Sequence, residues 1–174
     1  TEDSLLNVIK TARHDTVRIL TYITLCDLKR SSDPDKAMEY GRKALVLSEK
    51  INEKKYTSVI FNSLGVIFTC KGDYPAALQY FQKTLKIRED EKDEKGVSLA
   101  LNNIGLIHYY QQNYERALEY YKKSLVIEES LKNDSASAMC YNNIGLVYMN
   151  QNKLTDALKY FEKALDVEKS IDDK

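Results

Sequence analysis

The sequence predicts an all-α fold, a right-handed superhelical solenoid of antiparallel helix pairs, on three observations. Three segments repeat one pattern, FNSLGVIF at 61–68, LNNIGLIH at 101–108 and YNNIGLVY at 141–148, which sets Gly65, Gly105 and Gly145 40 residues apart. Each glycine is followed at a fixed distance by an alanine (Ala77, Ala117, Ala157) and four residues later by an aromatic (Phe81, Tyr121, Phe161). Apolar residues recur at three- and four-residue spacing, as in Leu101, Ile104, Gly105 and His108, with no sustained strand alternation. A fixed period of this length means stacked copies of one supersecondary unit. It turns the functional question from catalysis towards surface recognition.

The elements follow in order. Residues 3–12 predict a short helix covering the N-terminal end. The first helix pair spans about 15–30 (A) and 34–52 (B), and it is degenerate: Leu25 stands where the glycine should be and Gly41 where the aromatic should be. The second pair has its A helix over about 57–71. Gly72-Asp73 then breaks and restarts the chain, Asp73 capping helix B and Pro75 fitting its first turn, where a missing N–H costs nothing. Asp33-Pro34 repeats that chemistry one unit earlier. Helix B runs to about residue 91, and the charged stretch 90–95 links it to the next A helix, about 96–112. B over 114–132, A over 134–151 and B over 154–171 complete the series. The whole of 1–174 reads as a single repeat domain: 1–14 an N-terminal helix, 15–56 the degenerate repeat, then repeats at 57–95, 96–133 and 134–174. The chain begins at Thr1, which reads as a piece of something longer.

A mid-helix glycine costs about 1 kcal/mol relative to alanine, so three of them need a reason. Close approach of a neighbouring helix supplies one. The alanines of helix B are expected to serve the same contact, and Phe81, Tyr121 and Phe161 to fill the space between repeats. These positions read as structural.

The pattern resembles the tetratricopeptide repeat. One copy reads Tyr141, Ile144, Gly145, Tyr148, Ala157, Phe161, Ala164; the others read Leu101, Ile104, Gly105, His108, Ala117, Tyr121, Ser124 and Phe61, Leu64, Gly65, Phe68, Ala77, Phe81, Thr84. The family's usual period is about 34 residues, so this chain carries a long variant similar to the repeats of kinesin light chains, spindle-orientation adaptors and bacterial peptide-sensing regulators. It most resembles the repeat stretches of bacterial sensor histidine kinases and nucleotide cyclases. The likeness is strong over 58–171 and weak over 15–57. Besides Leu25 and Gly41, the departures are Glu89, Glu129 and Lys169, where the family often has proline.

Composition argues against several functions. Lys+Arg and Asp+Glu are both 26 and interspersed, giving zero net charge; a nucleic-acid partner would call for a concentrated positive field. No stretch approaches the roughly 20 apolar residues of a membrane span. Cys26, Cys70 and Cys140 lie far apart, without metal-ligand spacing, and read as buried reduced thiols. They lean towards a cytoplasmic setting; the periplasm is the alternative if this is the sensor part of a membrane kinase or cyclase. His108 reads as a packed ring and His14 as a residue at a helix start. No nucleophile–histidine pattern, phosphate loop, dinucleotide glycine motif or HExxH is present, so no catalytic, cofactor or metal residue is assigned.

In such a family the A helices line the concave face, and the glycine fixes one side of each. The resemblance then places Leu99, Asn102, Asn103, Leu106, Tyr109 and Tyr110 inward in the third unit. The corresponding set is Met139, Asn142, Asn143, Leu146, Met149 and Asn150 in the fourth, and Val59, Asn62, Ser63, Val66, Thr69 and Cys70 in the second. Asparagine is a mediocre helix former, yet Asn102-Asn103 and Asn142-Asn143 recur mid-helix. Amides offer both donor and acceptor to an extended peptide backbone, and related repeats use the Asn just before Leu-Gly in this way, which Asn103 and Asn143 match. The other reading is that these amides bridge adjacent helices or are inherited with the duplicated repeat. The inward set contains no Lys or Arg, which argues against the carboxylate clamp of chaperone-binding members. A protein or extended peptide is the expected partner, with no nucleic-acid or membrane contact. The alternative is a structural or oligomerisation element, with Leu158, Phe161 and Leu165 of the last helix packing on another chain.

Overall fold

The computed structural model describes residues 1–172. Among them are nine α-helices and no strand: α1 (Glu2–Thr11), α2 (Asp15–Lys29), α3 (Pro34–Lys50), α4 (Lys54–Cys70), α5 (Tyr74–Asp90), α6 (Glu94–Tyr110), α7 (Tyr114–Ser130), α8 (Asp134–Asn150) and α9 (Leu154–Asp172). α2, α4, α6 and α8 are the A helices, and α3, α5, α7 and α9 the B helices. The A helices at 54 and 94 begin two to three residues earlier than the sequence suggests. Lys54 and Lys55 precede the expected helix start at about 57, and Glu94 and Lys95 fall in the charged stretch 90–95, but all four occupy first helical turns.

The turns from α3 onward share one geometry. Asn52, Gly72, Lys92, Gln112, Lys132 and Asn152 all take positive φ, between 52° and 74°. In five of these turns the amide just after the positive-φ residue bonds back into the helix, as Asp73 N–H does to Phe68 O (2.9 Å) and Asn113 N–H to His108 O (2.8 Å). This is the Schellman arrangement, which satisfies carbonyls that a helix end would leave unpaired. The next helix starts at once. Asp33, Asp73 and Asp93 each accept the backbone N–H three residues on, at 3.0–3.1 Å, from Lys36, Ala76 and Gly96. Asp33 and Asp73 thus cap their B helices as expected, and Asp93 adds a cap on α6 from within the supposed linker.

The helices group into two compact units, Thr1–Glu91 (α1–α5) and the segment from Lys92 (α6–α9). In the first, Ile19, Leu25, Cys26, Tyr40, Ile60, Leu64 and Ile67 form the buried core, with Leu5, Leu6 and Ile9 of α1 packed against it. Glu2 anchors α1: its carboxylate takes Lys29 (2.6 Å), Lys36 (2.5 Å) and the Tyr40 hydroxyl (2.9 Å). These partners hold its carboxyl well below the usual range, at about 2. In the second unit Ala117, Tyr121, Leu125, Cys140, Ile144 and Val147 are buried together.

The glycines do mark close approach, but the partner differs from the one expected. A Cβ on Gly65 would lie 2.6 Å from Phe81 Cε1, one on Gly105 2.8 Å from Tyr121 Cδ1, and one on Gly145 2.6 Å from Phe161 Cε1. The aromatic ring lies on the glycine of its own pair, and Tyr121 is at the same time buried with Cys140, Ile144 and Val147 of the following repeat. The ring is the larger group and needs the missing carbon, whereas Ala77, Ala117 and Ala157 are simply buried. The degenerate pair inverts the sizes. Leu25 is fully buried on α2, and Gly41 on α3 is crowded by Leu64, 2.7 Å from where its Cβ would be.

Candidate functional site

The A-helix residues singled out in sequence divide between the two units. In the first unit, on α4, Val59, Asn62, Val66 and Thr69 are half-buried and Cys70 is exposed. Ser63 is buried and donates to Asp27 Oδ1 on α2 at 3.2 Å. Thr69 Oγ1 turns back to Gly65 O at 2.9 Å. Ser63 is therefore engaged in joining α2 to α4.

The second unit presents the fuller set. On α6, Leu99 and Tyr110 are 47% and 46% exposed; on α8, Met139 and Met149 are each 44% exposed. Leu106, Tyr109, Leu146, Asn103, Asn142 and Asn143 are half-buried, and Asn150 is exposed. Asn143 Nδ2 donates to Asn102 Oδ1 at 2.9 Å, and Asn150 Nδ2 donates to the Tyr109 hydroxyl and to Leu146 O, both at 2.9 Å. Asn102 is 7% exposed. Of the two readings of the asparagines, the helix-bridging one describes Asn102 with Asn143. That bond occupies Oδ1 of Asn102 and Nδ2 of Asn143. Asn142, on the same helix as the two exposed methionines, makes no side-chain hydrogen bond among the described residues.

The ionisable groups nearby are tuned for packing. His108 is buried and stacked on Tyr120 (5.4 Å between centroids, 15° apart), and its Nδ1 has no hydrogen-bond partner. Burial, then the Arg116 charge, lowers its pKa, so the ring is neutral near pH 7. Burial pushes the Cys26 thiol up to about 12 and raises that of Cys140. Such thiols are poor nucleophiles. Among the described residues no group of three or more His, Cys, Asp or Glu could hold a metal ion, and no helix is long and apolar enough to cross a membrane.

One periodic set is absent from the sequence reading. Tyr40, Tyr80, Tyr120 and Tyr160 recur every 40 residues, and a lysine three residues on (Lys43, Lys83, Lys123, Lys163) lies 5.3–5.8 Å from each ring centroid. Phe68 stacks on Tyr80 and Tyr148 on Tyr160, as His108 does on Tyr120. The signal was available as a 40-residue interval. It fixes A to B within a pair and does not belong to the exposed face.

Helix pairs with a glycine under an aromatic, a stacked aromatic rung and a three-residue Schellman turn define a helical repeat protein. The sequence pattern of the tetratricopeptide repeat family matches residues 15–90 and 96–170, and the chain belongs to that family. No curated protein matches the sequence. Among solved structures it is similar to BtubC (BKLC) from P. vanneervenii (TM-score 0.85, 24% identity, 97% of this chain and 72% of that one). It is similar to a Rap protein complexed with Competence and Sporulation Factor (0.84, 14%, 91% and 45%). It is also similar to a putative kinesin light chain from Podosopora anserina with nearly identical TPR-like repeats (0.76, 11%, 99% and 85%). The chain thus spans less than half of the Rap protein. At these identities the likeness establishes the fold.

Proposed function

We propose that this chain is a non-catalytic module that binds a protein segment or extended peptide, and that in the second unit the contact is made by the A-helix face of α6 and α8. The observation that carries this reading is the exposed row Leu99, Tyr110, Met139 and Met149 beside amide side chains. Polarisable Met and rigid Tyr give large contact area and adapt to a partner, while an amide such as Asn142 fixes an extended backbone by donor and acceptor. The likeness to a Rap protein complexed with Competence and Sporulation Factor supports the further reading of a sensory or scaffolding role within a larger signalling protein. The test is selection of displayed peptides on the immobilised chain, followed by calorimetry. Met139→Ala with Asn142→Ala should weaken a selected peptide about tenfold, which is about 1.4 kcal/mol, with helicity unchanged. Unaltered affinity would remove the assignment. Asn143→Ala is a poorer probe, because it also breaks the bond to Asn102.

A second reading rests on α9, where Leu154, Leu158 and Leu165 are exposed and lie on one helical stripe. Such a stripe fits self-association. Phe161, grouped with them by sequence, belongs to the Gly145 contact instead.

A further inference from the structure

The A helices of the second unit lack charge over most of their length. From Gly96 to Tyr110 on α6 and from Ser135 to Asn150 on α8 there is no Asp, Glu, Lys or Arg. α7, in the same unit, carries Glu115, Arg116, Glu119, Lys122, Lys123, Glu128 and Glu129. The charged residues within α6 and α8 are confined to their first turns, at Glu94, Lys95 and Asp134. Burial does not explain the absence, because Leu99, Tyr110, Met139 and Met149 are 44–47% exposed. Solvent-facing helix positions ordinarily carry charge; these carry Leu, Tyr and Met. His108, the one imidazole in these helices, is buried and neutral near pH 7.

Resting on the peptide-binding reading above, we propose that the face of α6 and α8 selects an extended segment free of charged side chains and holds it with an affinity insensitive to salt. A charged side chain seated against this face would give up hydration without meeting a counter-charge, a cost that neutral side chains avoid. Discrimination arises from what the face lacks. Backbone amides of the segment meet Asn142, and its apolar side chains meet the exposed Leu, Tyr and Met. A partner steered by electrostatics would show the opposite signature, with affinity falling as salt rises.

The probe is a displayed library of random peptides of about ten residues, roughly 33 Å when extended, selected on the whole chain. Relative to the unselected pool, Asp, Glu, Lys and Arg should fall about threefold or more at the central positions of enriched peptides, the ratio expected of a penalty near one factor of RT. A synthesised winner should change its Kd by less than about twofold between roughly 0.05 and 0.5 M salt. Met149→Lys should move the selection towards acidic peptides and introduce salt dependence. An enriched pool with a charged consensus, or a Kd that weakens about tenfold with salt, overturns this inference and leaves the peptide-binding reading standing. No enrichment, or winners that bind equally to the protein carrying Met139→Ala and Asn142→Ala, overturns that reading and this inference with it.

Discussion

A Cβ on Gly105 would meet Tyr121 at 2.8 and 2.9 Å and Tyr120 Cβ at 3.3 Å. Tyr121 is almost fully buried, so its ring has no free space to move into. Gly105→Ala gains about 1 kcal/mol of helix propensity but incurs overpacking of about 1–3 kcal/mol. The net expectation is a lower urea midpoint with an unchanged slope; a raised midpoint would refute the contact. Sequence located this glycine through its interval but paired it with Ala117, because spacing reports which residues recur and not which of them touch. His108 illustrates a residue that sequence read well. At the position of Phe68 and Tyr148 it packs as they do, and the difference is its buried, unpartnered Nδ1. Its folded pKa lies below the ordinary 6.5, so the folded state favours the neutral ring. That stability is present above pH 6.5 and is lost as pH falls through the folded pKa. His108→Phe should therefore stabilise by about 1 kcal/mol in mild alkali, and by more in mild acid. Denaturant melts from about pH 8 to pH 5 check this, and an equally steep acid loss in both proteins would show that His108 is not its source.

The turn, three residues long and recurring every 20, organises the elements. Five of its six positive-φ positions are not glycine, and a left-handed conformation costs a side-chain-bearing residue about 1–2 kcal/mol. Gln112 (φ 59°) sits where Gly72 (φ 74°) sits one repeat earlier. Gln112→Gly relieves that cost against a glycine entropy penalty of about 0.5–1 kcal/mol. It should raise stability by about 0.5–1 kcal/mol, seen as a higher thermal midpoint at equal helicity. Gly72→Ala should do the reverse, and a loss from both would mean the backbone is not held as described. The helices themselves were legible in sequence, since apolar periodicity and Asp-Pro starts leave little choice. The pairing of asparagines was not. Asn102 and Asn143 stand 41 residues apart, one step off the 40-residue register, so aligning the repeats separates the two residues that bond. Which amides bridge helices and which face outward follows from helix placement, and the interval carries no information on that.

Across the whole chain, the 26 basic and 26 acidic residues cancel, yet they are distributed unevenly between helix types. α4, α6 and α8 keep to uncharged side chains beyond their first turns, whereas α2 carries Arg18, Asp27 and Lys29; the B helices carry most of the ions, some as i,i+4 pairs or lysines over tyrosine rings, such as Glu119–Lys123 at 2.6 Å. Exposed pairs of this kind add little stability; their value is solubility for a sequence with no net charge to keep copies apart. α9 carries such charges too, and in addition exposes Leu154, Leu158 and Leu165, between 49% and 62%, along one stripe. If that stripe joins copies of the chain, sedimentation should show weight-average mass rising over about 1–100 µM, and Leu158→Lys should hold the protein at monomer mass throughout. A wild type that stays monomeric over the same range removes the self-association reading. The peptide face gives an independent check, because it lies on α6 and α8. Leu158→Lys should leave the affinity for a selected peptide unchanged, whereas a parallel loss of self-association and peptide binding would mean that both depend on α9, contrary to the placement of Leu99, Tyr110, Met139 and Met149.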